Sequence, residues 1–177
     1  MTMFHASKLM MFMHAPQNER LIRAVARRYG YHSGYAKFKD KTKPDANNGD
    51  SRRMVSQARY LLRSSDYRAG DNYRNNLLRQ LNNDRYEAVN FQPEKTVEFR
   101  LYRGTLKFET IMACLEFTWL TYHFTKMCSL HELTTPAFLH YITQPSQAYE
   151  SRYLRRLLVG KGFLGSDCLV PLDAEFS

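Results

Sequence analysis

The sequence predicts a helix-rich α+β domain with a small antiparallel sheet, and two features of its pattern lead to this class. Apolar residues recur at helical spacing in several segments, including residues 108–126 and 147–159. Residues 96–102 instead alternate apolar and polar side chains, which is the pattern of a half-buried strand. With 44% apolar residues, the chain is apolar enough for a sizeable core, and we expect residues 1–177 to form a single domain.

The N-terminal part is predicted to be helical and then loop-like. Residues 7–14 and 17–28 are expected to form two helices separated by Pro16, because apolar residues recur along one side of each. Residues 30–50 are rich in Gly, Asn and Lys and are predicted to be a flexible basic loop. At the other end, residues 166–177 are expected to be an irregular tail. Further helices are expected at residues 51–63, 73–81, 138–142 and 147–159.

A β-hairpin is predicted near residues 86–103. Residues 86–91 and 96–102 have strand patterns, and the Gln-Pro-Glu sequence at 92–94 is typical of a turn. Alternation along the second strand is expected to place two sets of side chains on opposite faces: Val97, Phe99 and Leu101 on one face, and Glu98, Arg100 and Tyr102 on the other.

The segment after the hairpin, residues 108–126, is predicted to be an amphipathic to buried helix. Helical spacing keeps six of its residues near one face, and we expect that face to pack in the core. These residues are Ile111, Cys114, Leu115, Thr118, Trp119 and Tyr122.

Cysteine and histidine usage argues against a disulfide framework and against a zinc site. The three cysteines, Cys114, Cys128 and Cys168, are widely spaced, and the six histidines form no His-x-His or His-Glu-x-x-His pattern. No stretch approaches the ~20 apolar residues that span a bilayer, and the N-terminus lacks the small-residue cleavage site of a signal peptide. We therefore expect a cytoplasmic protein with reduced thiols and no membrane partner.

The net charge of +9 is concentrated in the first part of the chain. Residues 1–103 hold 20 Lys/Arg and 10 Asp/Glu, a net of +10, whereas residues 104–177 have a net charge of −1. Such an excess attracts nucleic acid, an anionic nucleotide or an acidic peptide. Aromatic residues lie among the basic ones, which supports an alternative hypothesis of a basic nucleic-acid-binding or host-interaction protein. These aromatic residues are Tyr29, Tyr31, Tyr35, Phe38, Tyr60, Tyr67 and Tyr73.

The strand face that carries Glu98 and Arg100 has the clearest chemistry. Side chains at i and i+2 point the same way, so a carboxylate and a guanidinium are held side by side. The carboxylate can ligate Mg²⁺, and the guanidinium can bind a phosphate or carboxylate bidentately. Arg103 follows at the strand exit, and the set suits ATP-dependent activation of a carboxylate. The competing interpretation is a surface ion pair, which is the commoner role of Glu-x-Arg on a strand.

Two short motifs surround this pair. The first is R-Y-x-A-V-N at residues 85–90, and the second is T-V-E-F-R-L-Y-R-G-T-L at residues 96–106, followed by an apolar helix from Phe108. This order resembles the C-terminal active-site segment of the amidoligases, a family of ATP-dependent carboxylate–amine ligases. The resemblance is sharp over residues 85–126 and looser over the rest of the chain, where the two helices at residues 9–28 are similar to the segment that precedes those strands.

The resemblance implies a partial glutamine synthetase-like catalytic fold and a requirement for ATP and Mg²⁺. Such enzymes phosphorylate a carboxylate and let an amine attack the acyl phosphate, which forms an amide or isopeptide bond. The substrates implied are a peptide or amino-acid carboxylate and an amine. Glu98 would be a catalytic, metal-binding carboxylate, and Arg100 a catalytic arginine that binds the nucleotide or acyl phosphate. Further candidates for the phosphate site are Arg27, Arg85, Asn90 and Arg103.

The chain departs from the family at its N-terminal side. Full-length relatives carry an N-terminal sheet with a Glu-x-Glu metal motif and a His-x-His segment, and neither motif occurs in this sequence. A single carboxylate holds Mg²⁺ poorly against water unless substrate phosphates also bind the ion. Three readings remain open: a truncated and inactive relative, the C-terminal half of a split gene, or an enzyme completed by a partner chain. The sheet edge left by missing strands favours pairing with such a chain.

Overall fold

The computed structural model of the chain describes residues 3–26, 89–90 and 96–172, and most of these residues are helical. The helices are α1 (Met3–His14), α2 (Glu19–Ala26), α3 (Phe108–Met127), α4 (Thr135–Thr143) and α5 (Arg152–Gly160). Short 3-10 turns lie at Pro16–Asn18, Leu130–Glu132, Pro145–Gln147 and Ser166–Cys168. The two strands are β1 (Val89–Asn90) and β2 (Glu98–Phe99). No helix within the described ranges is long and apolar enough to cross a membrane.

The helical part of the predicted class is confirmed where the structure can be compared with it. α2 lies inside the predicted helix at residues 17–28, and α3 ends one residue beyond the predicted 108–126. α1 begins at Met3 rather than at the predicted Ser7, because His5 and Lys8 in its first turns form hydrogen bonds to α3. The loop predicted at residues 30–50 and the helices predicted at residues 51–63 and 73–81 lie outside the described residues.

β1 and β2 pair antiparallel over two residues each, with Val89 opposite Phe99 and Asn90 opposite Glu98. The strand predicted over residues 96–102 is therefore shorter than expected. After Phe99 the backbone leaves the strand, and the fully buried Leu101 enters the core beneath it. The described residues are thus mostly helical, and they include one short strand pairing.

The core lies where α1, α2, α4 and α5 pack against α3. At its centre is Phe138 of α4, which is fully buried. Its ring centroid lies 5.4 Å from that of Phe12 on α1, and 5.6 Å and 5.4 Å from those of Phe117 and Phe124 on α3. Three helices therefore meet at one aromatic cluster, in edge-on and tilted ring arrangements that aromatic pairs favour.

The face of α3 that packs in the core agrees with the predicted one only in part: Cys114 is buried, and Thr118 and Tyr122 are half-buried. Ile111, Leu115 and Trp119 are 40%, 58% and 56% exposed, and the prediction that they are buried is wrong. Because α3 is apolar around much of its circumference, periodicity cannot tell which face its neighbours cover. The residues that do pack inward are Ala113, Cys114, Phe117, Leu120 and Phe124, with the polar Glu116, Thr121 and Thr125 among them.

Two buried polar residues of α1 attach it to the C-terminal end of α3. His5 Nε2 donates to the Tyr122 carbonyl at 2.9 Å, and burial lowers the pKa of His5. Lys8 Nζ donates to the carbonyls of Lys126 at 3.1 Å and Cys128 at 2.6 Å. The last carbonyls of a helix have no partner within it, and a cation there also interacts well with the helix dipole. α1 thus supplies the cap of α3.

Asn18 connects the turn after α1 to the start of α4. It is fully buried, and its Nδ2 donates to the carbonyls of Phe12 and Leu133, both at 3.0 Å. Its Oδ1 accepts from Thr135 Oγ1 at 3.0 Å. One side-chain amide therefore satisfies two buried carbonyls and one hydroxyl.

We expect Asn18→Ala to lower the free energy of unfolding by about 2–3 kcal/mol, because two buried carbonyls lose their donor. Asn18→Asp should be at least as damaging, since a carboxylate cannot donate to either carbonyl. The measurement is chemical denaturation, with Gln17→Ala as control because Gln17 is the exposed neighbour. Equal unfolding midpoints for the Asn18 and Gln17 variants would contradict this account.

Candidate functional site

The structure brings together two of the predicted site residues, Glu98 and Arg100. Arg100 Nε lies 2.8 Å from Glu98 Oε1, and the two side chains are 28% and 44% exposed. Glu98 lies on β2, opposite Asn90 of β1, and Arg100 directly follows this strand. The spacing of two residues along an extended backbone therefore places the carboxylate and the guanidinium side by side, as predicted.

Of the other predicted site residues, the structure describes the side chain of Arg103. Arg103 is exposed in the segment between β2 and α3. Arg27 and Arg85 lie outside the described residues, and only the backbone of Asn90 is described. Of the predicted set, the structure therefore shows direct contact between Glu98 and Arg100.

Tyr102 does not share the outward face of Glu98 and Arg100, so this part of the predicted alternation is wrong. Its hydroxyl lies 2.5 Å from Thr118 Oγ1, which itself donates to the Cys114 carbonyl at 3.0 Å. Because Thr118 Oγ1 donates to the Cys114 carbonyl, the Tyr102 hydroxyl is the donor of this pair, and burial raises the pKa of its phenol. This hydrogen bond holds the backbone just after Arg100 against α3. The Glu98–Arg100 pair therefore lies next to a segment that is attached to the helix.

The donor set around Glu98 fits a magnesium ion only in part. Magnesium is commonly held by one or two protein carboxylates together with substrate phosphates and water. Glu98 offers one carboxylate, and Arg100 offers a guanidinium suited to phosphate oxygens. Within residues 3–26, 89–90 and 96–172, no group of three or more His, Cys, Asp or Glu side chains could hold a metal ion. A metal at Glu98 would therefore depend on ligands beyond these ranges or on a bound nucleotide.

A second titratable group, Glu116, was missed by the sequence reasoning. It lies on the packed face of α3 with 9% of its surface exposed, and burial raises the pKa of its carboxyl to about 7. The sequence did carry a signal, because Glu116 is the one charged residue between positions 110 and 125. A lone carboxylate in an apolar helix must either break the packing or have a specific partner.

Arg155 on α5 is a second missed residue, and its surroundings are those of a structural group. Only 5% exposed, it donates to the carbonyls of Ile142 and Gln144 at 2.7 Å and 3.1 Å from Nη2. Its Nε donates to Ser151 Oγ at 2.7 Å. Burial lowers the pKa of this guanidinium. These hydrogen bonds join α4 to α5 and use the donors of the Arg155 side chain. Arg155 is therefore not a candidate for binding substrate.

Cys114, Cys128 and Cys168 form no disulfide with one another in the structure. No family model, curated protein or solved structure matches the chain. The features of the chain that bear on its function are therefore the motifs at residues 85–106 and the geometry of Glu98 and Arg100.

Proposed function

We propose that the chain is an amidoligase-like protein that takes part in ATP- and Mg²⁺-dependent amide or isopeptide bond formation. The observation that supports this most directly is the Glu98–Arg100 pair, side by side and partly exposed within the motif at residues 96–106. The proposal includes the finer fold, in which the pairing of β1 with β2 belongs to a hairpin near residues 86–103. This hairpin would be part of an incomplete glutamine synthetase-like sheet.

In the proposed reaction a substrate carboxylate attacks the γ-phosphate of ATP, which yields an acyl phosphate and ADP. An amine then attacks the acyl carbon and displaces inorganic phosphate, leaving an amide and releasing a proton. Glu98 would help to hold a magnesium ion, which would offset phosphate charge when bound, and Arg100 would offset charge on the phosphoryl group in transfer. Arg103, Arg27 and Arg85 are the proposed additional phosphate contacts.

A partner chain is the proposed source of what this chain lacks. Glu98 is a single carboxylate, and the family's Glu-x-Glu motif is absent from the sequence. Strands and carboxylates from another chain would complete both the sheet and the metal site, since an open strand edge offers unpaired donors and acceptors. Without such a partner chain, this chain would be inactive. We further propose that the protein acts in the cytoplasm on peptide or amino-acid carboxylates and amines.

The alternative function is nucleic-acid binding or host interaction, favoured by the net charge of +10 over residues 1–103. Its signature would be an affinity for DNA or RNA that falls steeply with salt, because binding releases counterions from the phosphate backbone. Binding that is absent or insensitive to salt would exclude this alternative.

The test of the ligase proposal is the thermal stability of the protein with and without ATP and Mg²⁺. A nucleotide that binds only the folded state stabilises it by about 2.7 kcal/mol at a hundredfold excess over its dissociation constant. We expect the melting temperature to rise only when both ATP and Mg²⁺ are present. The double variant Glu98→Ala/Arg100→Ala should lose this rise yet still fold, because a partly exposed ion pair contributes only ~0–1 kcal/mol.

The matched control is Lys161→Ala, which removes an exposed positive charge at the end of α5. It should keep the nucleotide-dependent rise. A rise that the Glu98→Ala/Arg100→Ala variant retains would place nucleotide binding elsewhere. If the unsubstituted protein shows no rise, this chain does not bind the nucleotide by itself.

A further inference from the structure

Helix α3 has an apolar side that faces away from the core. Phe108, Leu115 and Trp119 are 62%, 58% and 56% exposed, and Ile111 beside them is 40% exposed. Single apolar side chains are ordinary on a protein surface, whereas a continuous row of them commonly marks an interaction site. The other side of α3 packs in the core, and a helix that is apolar on all sides is normally covered on all sides. Among the described residues, this outward row remains largely open to solvent.

The spacing of the row is that of a helix–helix contact. Phe108, Met112, Leu115, Trp119 and Tyr122 follow one another at steps of four, three, four and three residues. Alternating steps of three and four keep side chains on the line along which one helix packs beside another. We call these five residues the α3 seam. It extends over about 21 Å of helix at 1.5 Å per residue, so the seam fits a partner that is itself a helix.

We propose that this partner is a second copy of the chain, whose α3 lies antiparallel along the same seam across a twofold axis. In this arrangement Leu115 lies opposite Trp119 of the second copy, and Met112 lies opposite Tyr122 of the second copy. Each aromatic ring therefore meets an aliphatic or thioether side chain, and a methionine sulfur beside an aromatic ring is a favourable contact. The twofold axis makes every contact twice, as in most symmetric dimers.

The charges at the ends of α3 favour the antiparallel sense. Glu109 lies in the first turn and Lys126 in the last turn, and both are exposed. Antiparallel pairing brings Glu109 of each copy to the end that carries Lys126 of the other, whereas parallel pairing would bring like charges together. Lys126 also continues the spacing of the seam, four residues after Tyr122, and comes opposite Phe108 of the second copy. A lysine over an aromatic ring is attractive, and this contact lies at the solvent-exposed rim of the seam.

The first test is the mass of the full chain in solution, measured by sedimentation equilibrium over a roughly hundredfold range of protein concentration. We expect monomers at the low end and dimers at the high end. Trp119 is the single tryptophan of the chain, so its fluorescence reports on the seam alone. Its emission should shift to shorter wavelength with the same midpoint as the dimerisation.

Other occupants of the seam give different results. A chain that is monomeric at every concentration would overturn the proposal. In that case, Trp119 emission that is already at short wavelength would show that another part of the same chain covers the seam. Emission that shifts only when phosphatidylserine vesicles are added would instead show that the seam binds a lipid surface.

A seam variant tests where the copies meet. Leu115→Glu should raise the dissociation constant of the dimer at least about a hundredfold, because a carboxylate enters the apolar seam close to its symmetry mate. Leu115 is 58% exposed in the single chain, so the variant should keep the circular dichroism spectrum of the unsubstituted protein. The matched control is Leu169→Glu, at a 40% exposed leucine outside α3, which should leave the dimer unchanged. A dimer that Leu115→Glu does not weaken would overturn the proposal.

Charge reversal tests the antiparallel sense. Glu109→Lys and Lys126→Glu should each weaken the dimer by about two- to fivefold, the usual range for exposed ion pairs. The double variant, in which the two charges are exchanged, should recover the affinity of the unsubstituted protein. A double variant that dimerises more weakly than either single variant would contradict the antiparallel pairing.

Discussion

Replacing Phe138 with alanine is expected to lower the free energy of unfolding by about 3–5 kcal/mol, the usual cost of removing a buried aromatic ring. Phe138 is fully buried, and its ring contacts rings from α1 and α3 at centroid distances of 5.4 Å to 5.6 Å. Tyr141 of α4 extends this cluster, at 5.6 Å from Phe124. Removing the central ring opens a cavity that three helices would have to close together, so relaxation recovers little of the loss.

The measurement is chemical denaturation of Phe138→Ala beside Phe108→Ala. Phe108 is 62% exposed and meets only the edge of Tyr153, at a centroid distance of 5.7 Å, among the described rings. Because this ring is largely in water already, its removal should cost less than about 1 kcal/mol. Similar costs for the two variants would show that Phe138 is not at the centre of the core.

The second large effect is expected at Arg155, where methionine should lower the free energy of unfolding by about 3 kcal/mol or more. Methionine preserves much of the aliphatic stem but donates nothing. The carbonyls of Gln144 and Cys168 would lose this donor, and so would Ser151 Oγ. The Ile142 carbonyl would lose both of its bonds from Arg155 and keep the one from Ser151 Oγ at 3.0 Å. Each buried acceptor left without a partner costs about 1–3 kcal/mol. The C-terminal end of α4 would also lose its positive charge, which stabilises that end of the helix dipole.

The neighbouring Arg156 provides the control, because it is exposed and its Nη2 reaches a single carbonyl, that of Val170, among the described contacts. Arg156→Met should change stability by less than about 0.5 kcal/mol, as is usual for surface substitutions. Thermal and denaturant unfolding of both variants tests the difference. An Arg155 variant as stable as the Arg156 variant would mean that water satisfies these carbonyls equally well.

The helices were predictable because their signals are local. Apolar spacing located α2 and α3 closely, and Pro16 correctly separated α1 from α2. Which face of α3 would be buried was not predictable, since Trp119 and Leu115 are as apolar as Phe117 and Leu120. That choice depends on where α1, α4 and α5 lie, and such long-range information is not contained in a helical repeat.

The candidate site also has one part that could be predicted from local sequence and another that could not. The side-by-side placement of Glu98 and Arg100 follows from strand geometry and was predicted. The inward turn of Tyr102 was not, because it depends on Thr118 of α3. The roles of Glu116, Arg155 and Asn18 were missed for a related reason. A polar residue in an apolar segment predicts that a partner exists, whereas only the tertiary structure identifies that partner.

The attachments of the N-terminal helices have a consequence for synthesis of the chain. His5, Lys8 and Asn18 bond to residues that lie 117, 120 and 115 positions later. At a translation rate of ~5–20 residues per second, these partners emerge roughly 6–25 s after the residues that need them. During that interval Leu9, Phe12 and Met13 have none of their α3 and α4 neighbours to cover them, so this apolar segment is exposed on the nascent chain. We expect chaperones that hold apolar segments to bind α1 during this interval and to release it only once α4 has left the ribosome.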